Sequence, residues 1–173
     1  MNDTLKLIET RRSIKKYKSD MPSESDINAI IKAGLEAASG RNLQSPLLVA
    51  ITNKKIRDEL SLANASVMGA SSDPFYGAPV VIVVLAKRDV STHVYDGSLS
   101  LGNMMLAAHS LGLGSCWVHR AKEVFDMPKW KEYLREIGIE DDVEGIGNLI
   151  VGYPDCEYPA EKPRTPGRAY FID

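Results

Sequence analysis

Cysteine is scarce in this chain of 173 residues: the two present, Cys116 and Cys156, lie far apart and form no CxxC pair, so a disulfide framework is not expected. Long apolar runs are missing too. The longest, APVVIVVLA over residues 78–86, falls far short of the roughly 20 residues that cross a bilayer, which argues against a membrane protein and suits a buried strand. The start, MNDTLKLIET, has neither the basic region nor the apolar core of a signal peptide, so the expected location is the cytoplasm. Neither charge sign is in excess. Lys+Arg 21 against Asp+Glu 23 gives a net charge of -2, without the broad basic face that nonspecific nucleic-acid binding needs. No GxxxxGK[ST] and no GxSxG occurs, which removes a P-loop and the serine-hydrolase elbow. The GxG at Gly112 follows a helix pattern and runs into a strand pattern, the reverse of a dinucleotide-binding turn. Cys116 and His119 have a ligand-like separation, but positions three apart on a strand point to opposite faces, and no metal is expected.

What is present reads as one α+β domain over residues 1–173. A first helix starts near Asp3 or Thr4. Ser23 with Asp26 forms a capping box for a helix from about 24 to 38, with Ile27, Ile30, Ile31, Gly34, Leu35 and Ala38 at helical spacing. SGRN then stops it, with a glycine suited to positive φ. LLVAI after Pro46 is a strand. NKKIRDEL is a short helix capped by Asn53, and residues 64–78 follow with weak periodicity, ambiguous between an irregular segment and a helix that breaks before Asp73 and Pro74. VVIVVLA is a central strand. Residues 96–111 form a helix with Leu101, Met105, Ala108 and Leu111 along one stripe and little charge elsewhere, suited to a buried or interface position. SCWVH is a strand, Pro128 opens a helix that buries Trp130, Leu134 and Ile137, and GNLIVGYP is the last core strand. The tail carries four of the nine prolines yet ends in apolar AYFI, as an arm docked on this subunit or its partner would.

Local basicity stands out against the balanced total. ETRRSIKKYKSD, residues 9–20, places five cations around one serine. Arginine offers paired donors to phosphate oxygens, serine a hydroxyl and lysine a point charge. The spacing of Arg11, Ser13 and Lys15 puts all three on one side of an extended segment, whereas Arg12, Lys16 and Lys18 point elsewhere, toward solvent. A phosphate clamp and a solvated basic loop both fit this pattern.

Three separated segments, RRSIKKY, AASGRNLQSP, and GLGSCWVH followed by VGYP and PAEKPR, together resemble the nitroreductase family of FMN-dependent oxidoreductases in its short form, over nearly the whole chain. The resemblance implies a mixed sheet flanked by helices and an intertwined homodimer with an extended C-terminal arm. It implies that Arg11, Ser13 and Lys15 hold the FMN phosphate with Arg12 nearer the ring system, and that Lys162 and Arg164 close the phosphate site. Ser39, Gly40 and Asn42 would reach the isoalloxazine from the opposite subunit, with Ala38 standing where the family has proline. Trp117, Val118 and His119 would offer backbone N–H groups to the ring. The same resemblance implies ping-pong transfer of hydride from NADH or NADPH, through flavin N5, to a small-molecule acceptor such as a nitroaromatic or quinone, with no protein acid-base dyad. Two other readings stay open at this level. One is a divergent flavoenzyme on the same scaffold: flavin-fragmenting, azoline-oxidising or dehalogenating. The other is a flavin-binding protein without turnover.

Overall fold

Every residue from Val80 to Ala86 is fully buried, as a run of β-branched and leucine side chains covered on both faces requires. In the computed structural model, which describes residues 2–172, this run is the inner strand of a four-stranded sheet. The elements in chain order are α1 (Asp3–Thr10), α2 (Glu24–Leu35), a 3-10 turn (Gly40–Asn42), β1 (Pro46–Ile51), α3 (Lys54–Met68), β2 (Val80–Lys87), α4 (His93–Ser110), β3 (Gly114–Val118), α5 (Ala121–Phe125), α6 (Pro128–Glu136) and β4 (Val143–Gly152). The strands lie in the order β1-β2-β4-β3, and all three pairings are antiparallel. The mixed character comes from the N-terminal segment, where Ser13 forms a parallel bridge with Ser115.

Alternation along β2 divides the core in two. Val81, Val83 and Leu85 pack with Ile14, Tyr17, Leu60, Phe75 and Trp130 on the face covered by α3, α5 and α6. Ile82, Val84 and Ala86 pack with Ile27, Ile30, Leu101 and Met104 on the face covered by α2 and α4. Gly145 on β4 lets α5 approach closely, since a Cβ there would lie 2.3 Å from the Ala121 carbonyl oxygen.

Caps explain most boundaries. The Ser23 hydroxyl accepts from the Asp26 N–H (3.1 Å) and donates to its carboxylate (2.7 Å), starting α2 as expected, although the helix ends at Leu35 and leaves that side chain exposed. Asn53 caps α3, which runs to Met68 and ends on left-handed Gly69 (φ 64°), so its last two turns include residues first read as unassigned. Along α4 the buried stripe is Gly97, Ser100, Leu101, Met104 and Ala108; Met104 takes the place expected of Met105, and Leu111 is exposed. On α6, Trp130 and Leu134 are buried but Ile137, past the helix end, is exposed. The tail leaves beside the N-terminal segment through a Tyr17–Pro154 bridge, and Tyr170, Phe171 and Ile172 are exposed by 85%, 93% and 99%. Among the described residues, the apolar terminus therefore packs against nothing.

Candidate functional site

Ile14 and Tyr17, both buried, pin the extended segment after α1 to the core and leave Ser13, Lys15 and Lys16 facing out. Arg11 is half-buried, and its Nη1 is shielded from solvent without a hydrogen-bond partner among the described residues. A guanidinium nitrogen in that state lacks an acceptor, and an anion supplies one. Lys15 Nζ lies 5.7 Å from the Tyr76 ring centre. Arg12 departs from the expected solvent orientation: its Nη1 donates to the carbonyls of Glu9 (2.6 Å) and Arg11 (2.9 Å), and Nη2 is 3.7 Å from Glu161. It closes the C-terminus of α1 and meets the tail.

One directed chain of hydrogen bonds ties the tail to this clamp. The Arg12 N–H donates to Tyr158 Oη (2.9 Å), which lies 3.1 Å from His109 Nδ1 and donates to it when the ring is neutral with its proton on Nε2. The imidazole then carries its proton on Nε2 and donates to Thr10 Oγ1 (2.9 Å), and Thr10 donates to the Lys6 carbonyl (2.8 Å). Burial first, then the charges of Arg11 and Arg12, hold the His109 pKa below the usual imidazole value, which favours the neutral ring and this direction of the chain. Tyr158 and Glu161 thus bring the tail to Arg12, one residue short of Lys162. Lys162 and Arg164 themselves are exposed, and no ion pair or hydrogen bond among the described residues engages them.

β3 is an edge strand, and its outer side carries the rest of the site. The Ile14 N–H donates to the Ser115 carbonyl (3.0 Å) on that edge. By ladder alternation Trp117, two residues on, directs its own backbone groups the same way, toward an edge that no strand covers. Side chains cannot share this surface. The Trp117 indole packs on the α4 face beside Gly147, whose added Cβ would meet Nε1 at 2.2 Å, while Val118 belongs to the other core. The backbone groups of Trp117 and, past the strand end, of His119 and Arg120 remain for this edge, whereas those of Val118, expected to offer its N–H as well, are turned to β4 opposite Asn148. The buried Asn64 of α3 donates Nδ2 to the His119 carbonyl (3.1 Å), and across a trans peptide this turns the Arg120 N–H the opposite way. Arg120 adopts left-handed φ 81°, ψ 8°, with its side chain paired to Glu123 at 3.0 Å. Sequence reading missed Asn64, whose Oδ1 is also shielded and unpartnered; the signal was a polar residue on the inner face of a helix that continued further than its periodicity showed. From Ser115 to His119 is four residues, about 13 Å along the strand, enough to separate a phosphate end from a ring end.

The loop carrying Ser39, Gly40 and Asn42 lies elsewhere. The Gly40 N–H donates to Asp96 Oδ1 (3.0 Å), while the hydroxyls of Ser45 (2.7 Å) and Thr92 (3.1 Å) donate to Oδ2. Burial alone would raise the Asp96 pKa, but these three donors and nearby His93 outweigh it and the net direction is down, so the group is a carboxylate at neutral pH. Gly40 does not adopt the positive φ expected of it; Arg41 (52°), Asn42 (56°) and Gln44 (50°) do. Glycine is required at 40 for space, because a Cβ would lie 2.3 Å from Thr92 Oγ1. Asp96 and His109, the two anchors, sit thirteen residues apart on α4, about 20 Å. One chain therefore brings together Arg11, Ser13, Lys15 and the backbone of Trp117, His119 and Arg120, and keeps Ser39, Gly40 and Asn42 at the far end of that helix.

Among the described residues, no group of three or more His, Cys, Asp and Glu side chains is placed to hold a metal, and no helix is long and apolar enough to cross a membrane. The layered fold is similar to that of a nitroreductase from Bacteroides fragilis solved with bound FMN, which aligns over 100% of both chains with a TM-score of 0.91 and 25% identity. A protein of Archaeoglobus fulgidus assigned as an NADH dehydrogenase/NAD(P)H nitroreductase is 31% identical over 98% of each chain. The NADPH-flavin oxidoreductase of Vibrio harveyi is 27% identical over 96% of this chain and 71% of its own. Residues 8–153 match the nitroreductase family. This chain belongs to that family.

Proposed function

We propose that the protein is an FMN-dependent oxidoreductase that takes hydride from NADH or NADPH and passes it to a small acceptor of the nitroaromatic or quinone type in a ping-pong cycle, working as a homodimer in the cytoplasm. The observation that carries this is the shielded, unpartnered Arg11 Nη1 close in sequence to exposed Ser13, whose bridge to Ser115 lies about 7 Å along β3 from Trp117, where the open backbone edge starts, and about 13 Å from His119. Arg11, Ser13 and Lys15 supply donors for a phosphate at one end. The N–H groups of Trp117, His119 and Arg120 supply donors for a heteroaromatic ring at the other, with Asn64 orienting the His119–Arg120 peptide. Bound there, FMN provides the hydride chemistry at its N5, and the chain itself needs only to bind, orient and exclude.

The two-ended layout of α4 supports a site built from two copies, since the loop with Ser39, Gly40 and Asn42 cannot reach its own clamp. Tyr95 (72% exposed) and Leu99 (51%) lie one turn apart on the outside of α4, an apolar surface suited to a second subunit. The exposed Tyr170, Phe171 and Ile172 suit an arm laid on that subunit, while Lys162 and Arg164, next to the Glu161 that meets Arg12, would close the phosphate site. The relatives named as flavin oxidoreductases support the same reading. The test is spectroscopic and then kinetic. Purified protein reconstituted with FMN should retain a visible flavin spectrum through gel filtration, lose it on anaerobic mixing with NADH or NADPH, and turn over a nitroaromatic or quinone. Bound FMN that neither nucleotide bleaches would refute the enzymatic reading.

A further inference from the structure

We infer that Asp96 is a positioning residue: its buried carboxylate staples the loop of residues 39–45 in a strained left-handed form that presents Arg41, Asn42 and Gln44 to the ring end of the cofactor held by a second copy. This deepens the proposed function and rests on it. The first observation is the strain. Three non-glycine residues within four positions, Arg41, Asn42 and Gln44, have φ between 50° and 56°. L-residues avoid that region, and such conformations persist only where the surroundings over-determine them. The second is that packing does not do so. Arg41, Asn42, Leu43 and Gln44 are all exposed, and a cavity of about 220 Å³, lined by Gly34, Ser39, Gln44 and Ser100 among others, adjoins the loop at Gln44. No core residue is gained in return for the strain.

The third observation is what does hold the loop. Within it, Ser39 Oγ accepts from the Gln44 N–H (3.0 Å). Its two ends, Gly40 and Ser45, are drawn to the two oxygens of one carboxylate that is 2% exposed and lies in the first turn of α4. A charge placed there, at the positive end of a helix and under three donors, fixes both ends of the loop at once. Its own phosphate clamp meets α4 at His109, about 20 Å away, so Asp96 does not touch that clamp; under the proposed two-copy site the loop it holds faces the ring of the other cofactor, and Asp96 bears on the ring end alone.

The experiment compares Asp96→Ala, Asp96→Asn and Ser45→Ala in full-length protein, titrated with FMN and with riboflavin by flavin fluorescence, alongside thermal unfolding. Asp96→Ala should weaken FMN and riboflavin by the same factor, about tenfold or more, the scale expected when hydrogen bonds to a charged group are lost. The FMN-to-riboflavin affinity ratio should not move. Asp96→Asn should recover most of the loss, because its Oδ1 can accept from the Gly40 N–H while the Ser45 and Thr92 hydroxyls turn to accept from its amide. Ser45→Ala should show a smaller, equal loss for both ligands, and it decides the matter should Asp96→Ala not fold. A folded Asp96→Ala that binds riboflavin as the wild type does, or one whose loss falls on the FMN-to-riboflavin ratio, overturns the inference alone. A wild-type protein that binds neither flavin overturns the cofactor reading, and this inference with it.

Discussion

Replacing Arg11 with alanine isolates the phosphate end of the site. Its Nη1 is shielded and unpartnered, so an arriving phosphate oxygen gains a charge-assisted hydrogen bond without displacing an internal one. Such bonds are worth about 1.5–3 kcal/mol, which at about 1.4 kcal/mol per tenfold becomes roughly a 10- to 150-fold loss of FMN affinity in Arg11→Ala. Riboflavin differs from FMN only by lacking the phosphate, so its affinity should be unchanged, and the FMN-to-riboflavin ratio should collapse by that factor. The apoprotein should not be destabilised beyond about 1 kcal/mol, since the change also removes a shielded N–H with no partner. Arg11→Lys should be intermediate, keeping the charge and losing the planar fork. Fluorescence titration of both ligands, with thermal melts of the apoproteins, reads all of this. Equal weakening of both flavins, or an intact ratio, would show that Arg11 does not meet the phosphate.

Two further perturbations test the surroundings. His109 is held neutral by burial and by Arg11 and Arg12, so its folded pKa lies below the unfolded one near 6.5; the stability that this represents is complete above that value and is lost as pH falls through the folded pKa. NMR titration of the His109 ring should give a midpoint below 6.5 that rises in Arg11→Ala, and a wild-type midpoint at or above the ordinary value would contradict the network with Thr10 and Tyr158. Gly145→Ala should destabilise by about 3 kcal/mol, because the added methyl meets the Ala121 backbone and not a side chain that can swing away. At about 2–4 °C per kcal/mol this lowers the melting temperature by roughly 6–12 °C, whereas an unchanged melt would mean that α5 can lift off β4 freely.

How far the sequence foretold this depends on whether local chemistry or packing decides each feature. The Ser23–Asp26 box, Pro128 at a helix start and the seven-residue apolar run of β2 announce themselves, because each is settled within a few residues. The cations around Ser13 were legible as a concentration that the overall charge did not explain, and the proposed clamp at Arg11, Ser13 and Lys15 rests on them. α5, five residues long, is too short to display a period, and α3 continues past Leu60 through small residues that carry little pattern. Asn64 was lost with that extension. Gly40 drew attention as a candidate for positive φ, yet the left-handed residues are its neighbours; tertiary bonds to Asp96 impose that choice, and no propensity records them. Asp96 itself reads as an ordinary acidic residue in a first helical turn until the fold lays the loop against it.

The arrangement of α4 makes these local facts consequential together. A straight helix of eighteen residues is a ruler about 27 Å long, and this one is gripped near its start by the loop at Gly40 and near its end by Thr10 and Tyr158. Neither grip can shift along the axis without breaking bonds to a buried carboxylate or to a neutral imidazole whose two nitrogens are both engaged. Under the proposed reading, two such helices side by side would place the loop of one copy at the ring end of the other's cofactor, with the offset set by helix length and not by the flexibility of either loop. Rigid placement of this kind is what a hydride-transfer site demands, because donor and acceptor atoms must approach within van der Waals distance while water is kept out. Strain in the loop and burial of the carboxylate are then two parts of one device: the first is tolerable only because the second is fixed to the most extensively packed helix of the fold.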